Sequence, residues 1–144
     1  MNKKKRRLAV VLSAVTGSAV LVLSGCSGKS EQTEKTLRVG VITYTQDDPF
    51  INGLTDELKA QLKAMENKQR RIIVSTKSGN DYQQEQNEKV EEMIDAGCDV
   101  LCVNLVDRTA PSRIIRMARN EDIPVIFFNR EPVREDLMQW EKLY

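Results

Sequence analysis

Asp47, Asp48 and Phe50 stand together at the end of a run, Leu37 to Phe50, that reads LRVGVITYTQDDPF. A carboxylate accepts hydrogen bonds from hydroxyl groups strongly because it is charged. An aromatic ring beside it covers an apolar C–H face. Two later strings carry related chemistry: Asn104-Leu-Val-Asp107 and Asn129-Arg130-Glu-Pro. An amide both donates and accepts, which matches a hydroxyl that does the same. Tyr44 adds a second ring just ahead of the acidic pair.

The chain contains no His, so a Ser–His or Cys–His nucleophile pair cannot be built. Tyr44 to Phe50 contains no Gly, against both the dinucleotide fingerprint and the phosphate-binding P-loop. No catalytic residue is therefore assigned. The remaining set of carboxylates, amides and rings can bind a sugar.

These residues need elements to bring them together. Leu37 to Thr43 reads as a first buried strand, and Pro49 opens a helix whose stripe is Ile51, Leu54, Leu58, Leu62 and Met65. Arg71 to Thr76 is a second strand, and Tyr82, Gln86, Val90, Met93 and Ile94 mark a second helix closed by Gly97. Asp99 to Val103 is a third strand, Pro111 to Arg119 a third helix, and Pro124 to Phe128 a fourth strand. Val133 to Tyr144 is charged, with Leu137, Trp140, Leu143 and Tyr144 interspersed. Short apolar strands alternating with amphipathic helices predict an α/β fold, a parallel sheet flanked by helices. Parallel strands place their C-terminal loops on one edge, where ligands bind in such sheets. The acids, amides and rings above all fall in those loops.

The start of the chain reads as an address. Residues 2–7, NKKKRR, carry five positive charges, and the apolar run Leu8 to Leu23 is 16 residues, short of the roughly 20 that span a bilayer. This is the pattern of a secretory signal peptide. Its ending, Leu-Ser-Gly-Cys26, resembles the bacterial lipobox, which implies lipidation of Cys26 and a membrane anchor through acyl chains. Residues 1–25 are then a lipoprotein signal peptide, 26–36 a solvated tether, and 37–144 the domain. The whole chain has 22 Lys+Arg and 21 Asp+Glu; without the five charges of the leader, 17 face 21. A mildly acidic domain has no electrostatic footprint for nucleic acid. Cys98 and Cys102, four apart on or beside a strand, lie about 13 Å apart along it, too far to pair with each other; they read as buried small hydrophobes.

Each candidate also has a plainer reading. Asp48 before Pro49 is a good helix cap. Phe50 falls at the edge of the helical stripe and could face the core or a cleft. Asn104 after a strand is a turn former. Asp107 could cap the third helix, and Arg130 and Glu131 could pair at the surface.

The strings LRVGVITYTQDDPF, INGLTDELK, VLCVNLVDRTAP and PVIFFNREP resemble the N-terminal lobe of bacterial periplasmic sugar-binding proteins, those of the galactose/glucose (methyl-galactoside) ABC importer. The resemblance implies a periplasmic binding protein-like type I fold and a solute-binding lipoprotein held outside the cytoplasm. Its partners would be a monosaccharide (galactose or glucose) and the permease and ATPase subunits. By position, Asp48 matches the carboxylate that accepts sugar hydroxyls, Phe50 the ring stacked on the pyranose, Asn104 an amide contact and Tyr44 a ring near the pocket. Asn129 and Arg130 sit where ribose binders contact their sugar, so a ribose-type ligand is an alternative. Family members close two lobes on the sugar, and a calcium site belongs to the second lobe. No metal or cofactor is expected in the present residues. Only the N-terminal lobe is matched, through about four strands, so the chain is expected to be an N-terminal fragment. Half a cleft leaves much of a sugar in water, and the chain by itself is expected to bind galactose or glucose weakly or not at all. A second class of function, a receiver-like phosphoryl-accepting domain, would use Asp47, Asp48 and Asp107 to hold Mg²⁺.

Overall fold

The computed structural model describes residues 34–144; the signal peptide, the lipobox Cys26 and most of the tether lie outside the described residues. The elements run β1 (Lys35–Thr43), α1 (Pro49–Ala64), β2 (Arg70–Ser78), α2 (Gln83–Asp95), β3 (Val100–Val103), α3 (Ser112–Asn120), β4 (Val125–Phe127) and α4 (Arg134–Leu137). All four strands are parallel, in the order β2-β1-β3-β4. The alternation seen in the sequence is thus an α/β sheet with helices on both faces, as expected.

Side chains of a strand point alternately to opposite faces, and the two faces carry separate cores. Ile42, Leu101, Val103, Val125 and Phe127 pack with Val90 and Met93 of α2 and with Ile114, Ile115 and Ala118 of α3. Val39, Val41, Ile72 and Cys102 pack on the other face with Leu58 and Leu62 of α1. Cys98 belongs to the first core and Cys102 to the second, and both thiols are free, as their spacing requires.

Several boundaries differ from the sequence reading. β2 runs on to Ser78, because Gly40 to Thr43 of β1 keeps pairing with Ser75 to Ser78. Tyr82 lies outside the helical stripe: it is the N-cap of α2 and 71% exposed. On α1 the buried centre is Ile51 and Thr55, while Leu54 and Met65 are exposed. Thr55 lies one turn from Ile51, and a hydroxyl there hid the true direction of the face. Gly97 closes α2 as expected. Its φ is +74°, and the Cys98 and Gly97 amides donate to Met93 O and Ile94 O at 3.2 and 2.9 Å.

The charged tail contains more structure than its composition suggests. After α4, Trp140 and Leu143 enter the first core. Leu143 lies parallel beside Val125, with Val125 N donating to Lys142 O at 3.0 Å and Tyr144 N to Val125 O at 2.9 Å. The edge of β4 is paired there.

Candidate functional site

The C-terminal ends of β1, β3 and β4 lie side by side in the sheet, and the loop from Tyr44 to Asp48 joins the end of β1 to α1. Asp48 is the N-cap of α1: its Oδ1 accepts from the amides of Phe50 (2.8 Å) and Ile51 (3.4 Å). Its Oδ2 accepts from the Tyr44 hydroxyl at 2.7 Å. The Tyr44 hydrogen bond, aided by the two amides, holds the Asp48 carboxyl below the usual carboxylate range despite some desolvation. The same bond, with burial, pushes the Tyr44 phenol up. Capping and ligand recognition are therefore not exclusive for Asp48. One oxygen serves the helix, and the other keeps a lone pair for a hydroxyl donor.

Phe50 follows in the first turn of α1 and is 66% exposed, so it is not a core residue. The Arg130 guanidinium lies 4.5 Å from the centre of the Tyr44 ring, a cation–π contact. Arg130 Nη2 donates to Val106 O at 2.9 Å, and among the described residues the other N–H groups of the fork have no protein hydrogen-bond partner. The plainer reading, a surface pair of Arg130 with Glu131, is not among the ion pairs of the described residues. Instead Arg108 Nε donates to Glu131 O at 2.7 Å. Asn129 is exposed with φ +57°, a left-handed turn that Asn tolerates.

Asn104 is placed differently from the rest. It is fully buried. Its Oδ1 accepts from the Tyr44 amide at 3.3 Å and its Nδ2 donates to Phe128 O at 3.1 Å. It is a bracket across three strand ends, and none of its surface faces the cleft. Asp107 makes a local turn with the Thr109 amide (2.8 Å) and hydroxyl (2.7 Å), which hold its carboxyl below the usual range. It does not cap α3, whose N-cap Pro111 has no side-chain bond.

The acids that a receiver-like site would need do not converge. Asp47 is exposed, Asp48 is engaged as a cap and Asp107 in its own turn. Among the described residues no group of three Cys, Asp or Glu could hold a metal ion. The wall offers one charged acceptor (Asp48), one exposed ring (Phe50) and one partly free cationic donor (Arg130), steadied by Tyr44. Such groups can accept from, donate to and stack on a hydroxylated molecule.

One residue of the site was read from sequence as helix stripe alone. Gln86, on α2, is fully buried with its amide fully engaged. A polar amide on a sheet-facing stripe was the signal.

Residues 39–140 match the periplasmic binding protein domain family. The chain is 31% identical over 107 residues to the D-galactose/methyl-galactoside binding periplasmic protein MglB of Haemophilus influenzae, covering 74% of this chain and 31% of that protein. It thus spans about a third of the length of that curated relative. A Clostridium phytofermentans ABC transporter solute binding protein with bound β-D-glucose superposes with a TM-score of 0.55 at 25% identity, covering 62% of this chain and 26% of the other. A galactofuranose binding protein shares the fold, with a TM-score of 0.64 at 19% identity over 74% of this chain and 34% of the other.

Proposed function

The chain belongs to the periplasmic binding protein domain family, and from that premise we propose that its strand-end wall is one side of a monosaccharide cleft in the solute-binding component of an ABC importer. The ligand is galactose, methyl-galactoside or glucose. The observation that carries this reading is the Asp48 carboxylate, charged, fixed through both oxygens and with a lone pair of Oδ2 still open beside the exposed Phe50 ring. Asp48 accepts a sugar hydroxyl, Phe50 stacks on the pyranose face, and Arg130 donates to a ring or hydroxyl oxygen. Tyr44 and Asn104 act by holding that constellation, and Asn129 turns the chain so that Arg130 reaches Tyr44. The name of the Haemophilus relative and the glucose in the Clostridium structure support this choice of sugar.

Binding changes no covalent bond in this reading, and the protein performs no chemistry. A second wall closes on the sugar, and the closed form docks on permease and ATPase subunits, a hinge motion. Cys26 is the lipid-bearing residue, so the domain works outside the cytoplasm, tethered to the membrane. Any calcium site of the assembled protein lies outside these residues.

One wall gives the sugar few contacts against the cost of association, so the chain by itself binds in the millimolar range or weaker. NMR titration with D-galactose, D-glucose and D-ribose tests the choice. The two hexoses should shift Asp48 and Phe50 more than ribose does. A larger response to ribose, through Asn129 and Arg130, would move the assignment to the pentose.

A further inference from the structure

Gln86 lies on the sheet-facing side of α2 and touches no cleft surface, yet two routes run from it to the ligand wall. Its Nε2 donates to Asn104 O at 2.8 Å and to Thr43 O at 3.4 Å. Its Oε1 accepts from the Val106 amide at 3.0 Å. Along the first route, Asn104 Oδ1 takes the Tyr44 amide at 3.3 Å. Along the second, Val106 O takes Arg130 Nη2 at 2.9 Å, and Arg130 lies over the Tyr44 ring. The routes meet at Tyr44, whose hydroxyl donates to Asp48 Oδ2 at 2.7 Å. The backbone of Tyr44 is thus fixed from one side and its ring from the other, both through one buried amide.

Few side chains could replace it. The position needs donors for two carbonyls and an acceptor for one amide, at the reach of a three-carbon arm. Glu has no donor when ionised and only one when protonated, Asn lacks the reach, and Leu and Met lack both kinds of group. The neighbouring loop leaves room for it: a Cβ on Gly79 would stand 2.8 Å from Gln86 Cβ and 3.3 Å from its Cα.

We propose that Gln86 is a positioning residue for the ligand wall, setting the place of Tyr44 and through it the Oδ2 of Asp48. Its effect on sugar affinity rests on the sugar-binding reading; its effect on Asp48 does not.

The test follows the Asp48 carboxyl carbon by NMR through an acid titration in the wild-type chain, Gln86→Leu, Gln86→Met and Tyr44→Phe. In the wild type it titrates below the ordinary Asp range. In all three variants the midpoint moves up toward that range, while amide exchange at Val90, Leu101 and Ile114 stays slow. A wild-type midpoint in a folded Gln86 variant would overturn the proposal. The wild type supplies a second readout that needs no variant to fold. Coupling between sites is reciprocal, so the Gln86 side-chain amide signals should shift with the same midpoint as Asp48. Signals that stay still would equally overturn it. With D-galactose or D-glucose, Gln86→Leu should weaken the response at Asp48 and Phe50 at least tenfold. If the wild type shows no sugar response there, the sugar reading fails, and the acid titration still decides the role of Gln86.

Discussion

Replacing Asn104 probes the bracket on which the wall is built. Asn104→Ala removes the acceptor of the Tyr44 amide (3.3 Å) and the Nδ2 donor to Phe128 O (3.1 Å). The two losses are unequal. Phe128 O still accepts from the Arg130 amide, whereas the Tyr44 N–H is left without a partner at a partly buried strand end. An orphaned buried group costs about 1–3 kcal/mol, and the void left by the amide adds to it. The total is about 2–4 kcal/mol, against about 5–15 kcal/mol of stability for an ordinary domain, so the variant still folds. At about 4 °C per kcal/mol for a domain of this size, its Tm falls by roughly 8–16 °C.

Asn104→Asp separates the two bonds. It keeps an acceptor for Tyr44 but turns a carboxylate toward Phe128 O. Burial and that carbonyl raise the folded-state pKa of the introduced acid above its unfolded value. The variant is therefore closest to wild type at low pH and loses stability as pH rises through the folded pKa. Thermal unfolding at acidic and neutral pH, with hydrogen exchange at the Tyr44 amide, reads both effects. An Asn104→Ala cost below about 0.5 kcal/mol, within the range of ordinary surface substitutions, would refute the bracket.

Asp48→Ala should lower Tm by a few degrees through loss of the α1 cap, while Asp48→Asn, an equally good cap, should lower it less, losing only the part that depends on the charge; equal losses in thermal unfolding would show that capping is not the structural role. Because the Tyr44 hydrogen bond depresses the Asp48 carboxyl in the folded state, the stability it contributes is present above the unfolded Asp range and disappears as pH falls through the lower folded value; Asp48→Asn should abolish that part of an acid-unfolding curve. Gly79→Ala should cost about 1–3 kcal/mol, since its Cβ would meet Gln86 Cβ at 2.8 Å and Val106 Cγ2 at 3.0 Å, and urea unfolding checks it. Cys102, with burial pushing its thiol up to about 11, and Cys98, raised by burial, should stay unreactive toward a thiol reagent at pH 8 until the chain unfolds.

The layered fold was legible because it rests on local periodicity. Val39 and Val41 against Ile42 announce their faces by strand alternation, and Leu58 and Leu62 recur on one side of α1 by helical spacing. The cap at Asp48 was legible for the same reason, as an acid directly before a proline that starts a helix. The other half of Asp48 was not, because the Tyr44 hydroxyl reaches it only once the loop has folded back. Asn104 reads as a turn former in sequence; its burial depends on three strand ends closing around it, which is a tertiary event. Phe50 sat at the edge of its stripe, where period cannot choose between core and solvent, and packing chose solvent. The tail misled through its charge, since one edge pairing at Leu143 and the burial of Trp140 suffice to fix it.

The most direct measurement is a titration of the wild-type chain with D-galactose and D-glucose, reading the Asp48 carboxyl carbon and the Phe50 ring by NMR with calorimetry alongside. A single sugar-binding wall requires both residues to respond together and saturably, with affinity in the millimolar range or weaker. Submillimolar binding by calorimetry, or sugar binding that leaves Asp48 and Phe50 unmoved, would contradict it.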